Sequence, residues 1–475
     1  MSWEALLLAA MVTMLVAFAL RIPVAIALTL AGFVGLVLAA DLTLAESALR
    51  QITYGANYNF LLVAIPLFIF MAEIFTATGM SGRAFGAVKT LFGQRKAAVP
   101  LSTIGLGALL AAVSGSSAAN VASLGRVAME EMIAQGYRKP LAAGVVAVSG
   151  SLGIIIPPSI PAILYGFVNE MSVLAIFTAG VIPGLLIAFF SMVVTIIWVA
   201  YSDRKTSVPL GVEGGASFGQ MTGDDPTPNH VGTIVGSAAS EDVQNSGDVP
   251  VQNGSAAQPS RLAAGLQLLP ILALVSLVLG IIYAGVATPT EAAAIGCAGA
   301  VLVAATGGGL SWGAMRVAID RSLRSSGFIL LIIFGAVYFV FFLNYTQIPN
   351  SVVNLVVGAE IGPAVTLIIV IVVMLALGTL METISLVLVA TPILAPVLVA
   401  AGFEPLAVAI ILLILIEMGL NTPPVGLNIF IMLGVGKPYD LSYGEIVKGC
   451  LVYLIPGFLT IGVILMVPGI TTFGS

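Results

Sequence analysis

The chain has 475 residues, 59% of them hydrophobic and only 8% charged, with a formal net charge of −5 and a mean hydropathy of +1.13. A soluble domain carries about 25% charged residues, so this composition excludes a soluble module and describes a polytopic membrane protein. No basic block suggests nucleic acid, and two cysteines, Cys297 and Cys450, make neither a disulfide framework nor a metal set.

Two apolar spans, residues 4–20 and 22–40, meet tightly at Arg21-Ile22-Pro23. The run from Ala5 to Leu20 has no basic stretch before it and no clear cleavage site, so it reads as a retained helix and not a signal peptide. Residues 41–57, with Asp41, Glu46 and Arg50, are short and polar enough to lie at an interface, making 1–57 a set of N-terminal scaffold helices. A first repeat is expected over 58–202, opening with a span at about 58–79. A loop with Arg83, Lys89, Arg95 and Lys96 follows, then an apolar segment, about 98–125, interrupted by Ser114-Gly115-Ser116-Ser117. The next loop, 126–139, carries Arg126, Arg138 and Lys139.

Lys and Arg concentrate in cytoplasmic loops. With basic loops on both flanks, 98–125 is predicted not to cross but to enter and return as a re-entrant hairpin turning at Ser114–Ser117. Two arms of roughly 12 residues span about 18 Å each, enough to reach the bilayer midplane and no further. Span 141–168 is itself broken at Pro157-Pro158-Ser159, and span 172–200 returns to the cytoplasm. Residues 203–261 are rich in Gly, Ser, Asp, Pro and Asn and are predicted to be a disordered cytoplasmic linker. The chain's one histidine, His230, lies there.

The second half repeats the pattern. Scaffold helices are expected over 262–325, with spans 264–286 and 290–308 around Ala287-Thr288-Pro289-Thr290-Glu291 and a cytoplasmic stretch 311–325 bearing Arg316, Arg321 and Arg324. A second repeat, 326–475, holds span 327–343, the loop 344–362, a broken segment at about 363–398 around Gly378–Thr383, and a broken span 406–434 at Thr422-Pro423-Pro424. The last span is 446–469. The loops flanking 363–398 have no Lys or Arg, so this hairpin opens outside. The fold class is therefore all-α, with two inverted-topology repeats, re-entrant helical hairpins and broken helices. Both termini are expected on the outer face.

All eight aspartates lie in loops, the linker or span edges, and the lone histidine is in the linker, so a serine in Ser-Gly-Ser-Ser has no base and an enzyme is disfavoured. What remains at mid-depth is hydroxyls, amides and unwound carbonyls, hard oxygen donors suited to a dehydrated Na⁺. One cation site is expected between the tip Ser114–Ser117 and the break Gly153–Pro158, another between Gly378–Met381 and Gly419–Val425. Each Pro-Pro pair removes N–H donors and frees carbonyls upstream, and half-helix N-termini offer partial positive charge to an anionic substrate. Four carboxylates, Glu73, Glu291, Glu382 and Glu417, sit in or near apolar segments. Glu382 is the best placed, at the second tip, and Glu291 reads as a first-turn helix acid.

The runs SGSSAANVASLG, GYRKPLAAGVVAVSGSLGIIIPPSIPAILYG, FTAGVIPGLL, GVATPTEAAAIG and IEMGLNTPPVGLNIF resemble, in order, the large membrane (DctM-like) subunit of tripartite ATP-independent periplasmic (TRAP) transporters. The resemblance covers the chain outside 203–261. It implies a Na⁺-coupled elevator-type importer of organic-acid anions in the bacterial inner membrane. It also implies a periplasmic substrate-binding protein and a small four-helix membrane subunit as partners, beside membrane lipid. By motif, one Na⁺ site would use Ser114, Ser117, Gly153, Ile156 and Pro158, and the other Gly378, Met381, Gly419, Thr422 and Val425. The substrate would lie near Ser116, Asn120, Thr422 and Asn428. The rival readings are a stand-alone Na⁺/carboxylate symporter and a non-transporting membrane scaffold.

Overall fold

A computed structural model describes residues 2–55, 59–93, 97–115, 117–203, 261–307 and 309–472. The linker expected over 203–261 and the tip residue Ser116 thus lie outside the described residues, apart from the helix ends at 203 and 261. Every regular element described is helical. Seven stretches among the described residues are long and apolar enough to cross a membrane.

Helices α1 (Trp3–Ala19) and α2 (Val24–Ala39) pack together and lead into the short α3 (Leu42–Gly55). One stripe of α3, Ala45, Ala48 and Ile52, is buried at helical spacing, while Glu46 and Arg50 stay exposed 4.0 Å apart. Then come α4 (Ala64–Ala77) and α5 (Met80–Phe92). The basic stretch before the first hairpin is therefore helical at Arg83 and Lys89 and not an open loop there, while Arg95 and Lys96 lie outside the described residues. It starts behind Gly79, held at φ 68°, and buries Ala84, Phe85 and Val88.

The first hairpin is α6 (Ala98–Ser114) and α7 (Ser117–Ala134), and the first broken helix is α8 (Lys139–Ser151) and α9 (Ile160–Val168). α10 (Val173–Asp203), α11 (Arg261–Tyr283) and α12 (Pro289–Thr306) follow. α12 opens on a reciprocal cap in which Thr288 and Glu291 satisfy each other's backbone N–H, so Glu291 is a first-turn capping acid.

α13 (Trp312–Tyr345) joins two stretches that the sequence reads as separate. Its 34 residues run about 50 Å at 1.5 Å per residue, so the cytoplasmic stretch 311–325 and the span after it are one helix. Arg316, Asp320 and Arg324 are exposed in its N-terminal half, with Asp320 and Arg324 paired at 3.0 Å. α14 (Ile348–Gly358) occupies the supposed loop 344–362. The second hairpin is α15 (Pro363–Gly378) and α16 (Thr383–Ala400), and the second broken helix is α17 (Pro405–Leu420) and α18 (Leu427–Gly436). The last span is two helices, α19 (Tyr443–Val452) and α20 (Leu454–Met466), joined at Tyr453.

The hairpin arms have 16 to 18 residues, about 24–27 Å, and so outrun half a bilayer. In α7 the surplus is its last turns, where Arg126, Glu130 and Glu131 sit, so the loop expected from 126 begins only after Ala134. Three contacts tie the basic segments to their neighbours: Arg83 Nη1 on Gly307 O at 2.9 Å, Lys89 Nζ on Glu131 Oε1 at 2.6 Å, and Lys139 Nζ on Asp440 O at 3.0 Å.

The repeats exchange partners. α7 of the first hairpin packs on α18, and α16 of the second packs on α9. Gly125 meets Val435 in the first contact, and Asn169 Nδ2 donates to Thr391 Oγ1 at 2.9 Å where α9 meets α16. Around this nucleus, α13 joins α2, α3 and α4, with the Tyr338 hydroxyl donating to Ala45 O at 2.7 Å.

Candidate functional site

In the first broken helix, every residue from Leu141 to Ser151 is buried. Pro157 and Pro158 have no N–H to give the carbonyls of Gly153 and Ile154, their partners four residues back. Ser159 recovers one of these. Its hydroxyl donates to Ile154 O and accepts from Ala162 N at 3.3 Å, capping α9. The carbonyl of Gly153 has lost its helical donor and gained no such replacement from Ser159.

The second broken helix does the same with different residues. Pro424 denies a donor to Leu420, while Thr422 N turns back to Gly419 O at 3.0 Å. Gly426, at φ 61°, has the oxygens of Leu420 and Thr422 each 2.8 Å from where a Cβ would stand. A side chain there would fill the space onto which those oxygens converge. The Thr422 hydroxyl donates to Met418 O at 2.7 Å, which leaves its oxygen lone pairs as acceptors.

Each hairpin tip lies against its own break. At the first tip, Gly115 takes the left-handed conformation, φ 57°, that ends α6. A Cβ on it would stand 3.1 Å from Ile160 N and 3.3 Å from Pro158 O, and one on Gly150 would stand 2.9 Å from Ser117 O. At the second tip, the backbone of Gly378 meets that of Gly419, and Gly426 N donates to Thr379 O at 3.1 Å. So Ser117 and Pro158 meet at one junction, Gly378, Gly419 and Thr422 at the other. Ile156 is half-buried against Gly184, and Met381 is buried at the second tip. Val425 is half-buried in the second break, and Ser114 is described by its backbone alone.

The expected substrate residues divide. Asn120 is buried on α7, one turn after Ser117. Asn428 is fully buried on α18, and its amide hydrogens point at Ser151 Oγ (3.5 Å), Glu417 Oε1 (3.1 Å) and Asn421 Oδ1 (3.2 Å). In this conformation they are committed within the protein and not offered to an acid.

Asn428 thus belongs to a polar cluster with Glu417, Asn421 and Ser151 that its sequence neighbours do not announce. Asn421 caps the C-terminal end of α17 and donates to Ser151 Oγ, at the end of α8, at 2.8 Å. The signal was present: Glu417 and Asn421 are four apart on a helix and so share a face. Glu382, weighted more heavily, caps α16 through Ser385 N (3.1 Å) and Ser385 Oγ (2.9 Å).

Comparison with known proteins agrees with this architecture. A family model, "Tripartite ATP-independent periplasmic transporter, DctM component", matches residues 11–470. The C4-dicarboxylate TRAP transporter large permease protein DctM of Pseudomonas aeruginosa is 29% identical over 424 residues, 88% of this chain and 87% of that protein. Its namesake in Rhodobacter capsulatus is 32% identical over 394 residues, 80% of this chain and 79% of that one. The crystal structure of the Alcanivorax borkumensis YdaH transporter shares the fold, with a TM-score of 0.59 at 16% identity over 90% of this chain and 88% of that one. The chain belongs to the DctM-component family of tripartite ATP-independent periplasmic transporters and is a large permease subunit of that kind.

Proposed function

We propose that this subunit is the permease of a Na⁺-coupled, binding-protein-dependent importer of organic-acid anions in the bacterial inner membrane. The observation that carries the reading is the pair of tip-to-break junctions. In each, a proline pair strips N–H partners from carbonyls, and the backbone of a hairpin tip packs against the break that holds them. Ser114, Ser117, Gly153, Ile156 and Pro158 would hold one Na⁺, and Gly378, Met381, Gly419, Thr422 and Val425 the other. The acid would bind between the tips, near Ser116, Asn120 and Thr422, where half-helix N-termini favour negative charge. The relatives named for C4-dicarboxylates support an acid of that class.

The hairpins and broken helices would travel as one body against a frame of α1–α4 and α11–α13, the elevator reading. A periplasmic binding protein would deliver the acid and a small four-helix subunit would complete the frame. Both termini would face the periplasm.

The test is uptake of labelled succinate into proteoliposomes holding this chain and the small subunit, with and without an inward Na⁺ gradient and with and without the binding protein. Uptake is expected only when both the gradient and the binding protein are present. Na⁺-driven uptake without a binding protein would establish a stand-alone symporter instead.

A further inference from the structure

Where the two broken helices meet, the structure holds a polar group that neither tip junction uses. Ser151 ends α8, Asn421 caps α17, and Glu417 and Asn428 stand beside them, all four at 7% exposure or less. Asn421 Nδ2 and Asn428 Nδ2 both donate to Ser151 Oγ, which passes its own hydrogen to Ala147 O at 2.9 Å. Asn428 Nδ2 also reaches Glu417 Oε1 and Asn421 Oδ1. Two atoms have no hydrogen-bond partner, Glu417 Oε2 and Asn428 Oδ1. Both are acceptors. What the group lacks is positive.

The surroundings sharpen this. Two helix C-termini, those of α8 and α17, converge on the carboxylate, and each adds partial negative charge. The cleft beside it is lined by Val148, Ile187, Ile414, Tyr453 and Gly457, with no Lys or Arg among its lining residues. The Tyr453 hydroxyl is engaged with Thr195 Oγ1 at 2.6 Å. A buried carboxylate without a counter-charge is costly in such a place.

We propose that Glu417, with Asn428, Asn421 and Ser151, forms a third cation site, for one dehydrated monovalent cation of the size of Na⁺, at the crossing of the two broken helices. Unlike the tip junctions, one per repeat, it is shared: Ser151 comes from the first repeat and the other three residues from the second. A single carboxylate with neutral amide and hydroxyl oxygens matches a charge of +1; Ca²⁺ sites gather more carboxylate charge. The proposal deepens the cation-coupled reading and rests on it for its role, but binding tests it separately from transport.

The experiment is Na⁺ binding to the purified full-length chain by isothermal titration in choline buffer at fixed pH. Glu417→Gln is expected to weaken Na⁺ at one site by about tenfold or more. It should fold normally, because the new amide can donate to Asn428 Oδ1. The double variant Ser117→Ala/Thr422→Ala is expected to keep the Glu417-dependent site while losing tip binding. If that double variant binds Na⁺ as wild type does, the tip reading fails and this proposal stands. Asn428→Asp places a second carboxylate here and is expected to add Ca²⁺ binding absent from wild type. Wild-type Na⁺ titration in Glu417→Gln overturns the proposal, even if the variant's uptake loses pH dependence, which would assign a proton instead. Should Glu417→Gln fail to fold, absence of Ca²⁺ binding in Asn428→Asp overturns it.

Discussion

Lys89 Nζ lies 2.6 Å from Glu131 Oε1. Lys89 is in α5, just ahead of the first hairpin, and Glu131 is in the last turn of α7, just behind it. An ion pair across the mouth of the hairpin joins its two flanks. A helix that crossed the bilayer would hold them a membrane thickness apart, about 30 Å. Single cysteines at Lys89 and Gln135, in a chain with Cys297 and Cys450 replaced by Ser, are expected to react with an impermeant maleimide from the same face of oriented vesicles. Labelling from opposite faces would falsify the re-entrant hairpin.

The same pair makes a modest pH-dependent contribution. Burial pushes the Glu131 carboxyl up, but the hydrogen bonds from Lys89 and Gln135 outweigh it and hold the group below the ordinary carboxylate range. A depressed folded-state value means the stabilisation is complete above the unfolded-state value and lost as pH falls through the folded one. Both side chains are about a third exposed, so the pair is worth under about 1 kcal/mol. Glu131→Gln is expected to flatten the acid limb of a thermal-stability profile and leave the neutral plateau within that margin. An unchanged acid limb would remove the pair from the account.

At the second junction the decisive contact is backbone on backbone. A Cβ on Gly378 would stand 2.6 Å from Gly419 Cα, with no flexible side chain to move aside. Gly378→Ala and Gly419→Ala are each expected to cost about 1–3 kcal/mol by overpacking and to raise the Na⁺ concentration needed for uptake. Gly462→Ala, with nothing within 4 Å of its Cβ, is the control and should leave both unchanged. Equal behaviour of all three would mean the tip is not seated on the break.

The tip hydroxyls separate coordination from folding. Ser117 is buried, while Thr422 spends its hydrogen on Met418 O and keeps its lone pairs. Ser117→Ala and Thr422→Ala are expected to shift the Na⁺ dependence of uptake by about tenfold or more while moving the melting temperature little. Unshifted Na⁺ dependence in both would take the hydroxyls out of the cation sites.

Much of this was legible in the chain because the signals are local. Proline pairs, a Ser-Gly-Ser-Ser turn and uncompensated Lys and Arg each report on their own few residues, and they marked both hairpins and both broken helices. Three things were not legible. The basic stretch at Arg83 reads as a loop because charge marks the side of the membrane but not whether the backbone stays helical, and it is helical in α5. The arm lengths failed because hydropathy ends where the charges begin, whereas α7 continues past Arg126 to Ala134. The cluster of Ser151 with Glu417, Asn421 and Asn428 joins positions more than 260 apart, since Asn421 and Ser151 are separated by 270. No local pattern in one sequence predicts that pairing.

Glu382 shows the same limit from the other side. Its place at the second tip invites a role in proton coupling, yet its carboxylate accepts from Ser385 N and Ser385 Oγ, the work of a helix cap. A cap needs an acceptor, not a titrating charge. Glu382→Gln keeps a carbonyl oxygen in that position, so it is expected to retain uptake with an unaltered pH profile. Glu382→Ala removes the acceptor and is expected to cost about 1 kcal/mol of stability, read as a lower melting temperature. A Glu382→Gln variant that folds normally but loses the pH dependence of uptake would show that the carboxylate carries a proton after all.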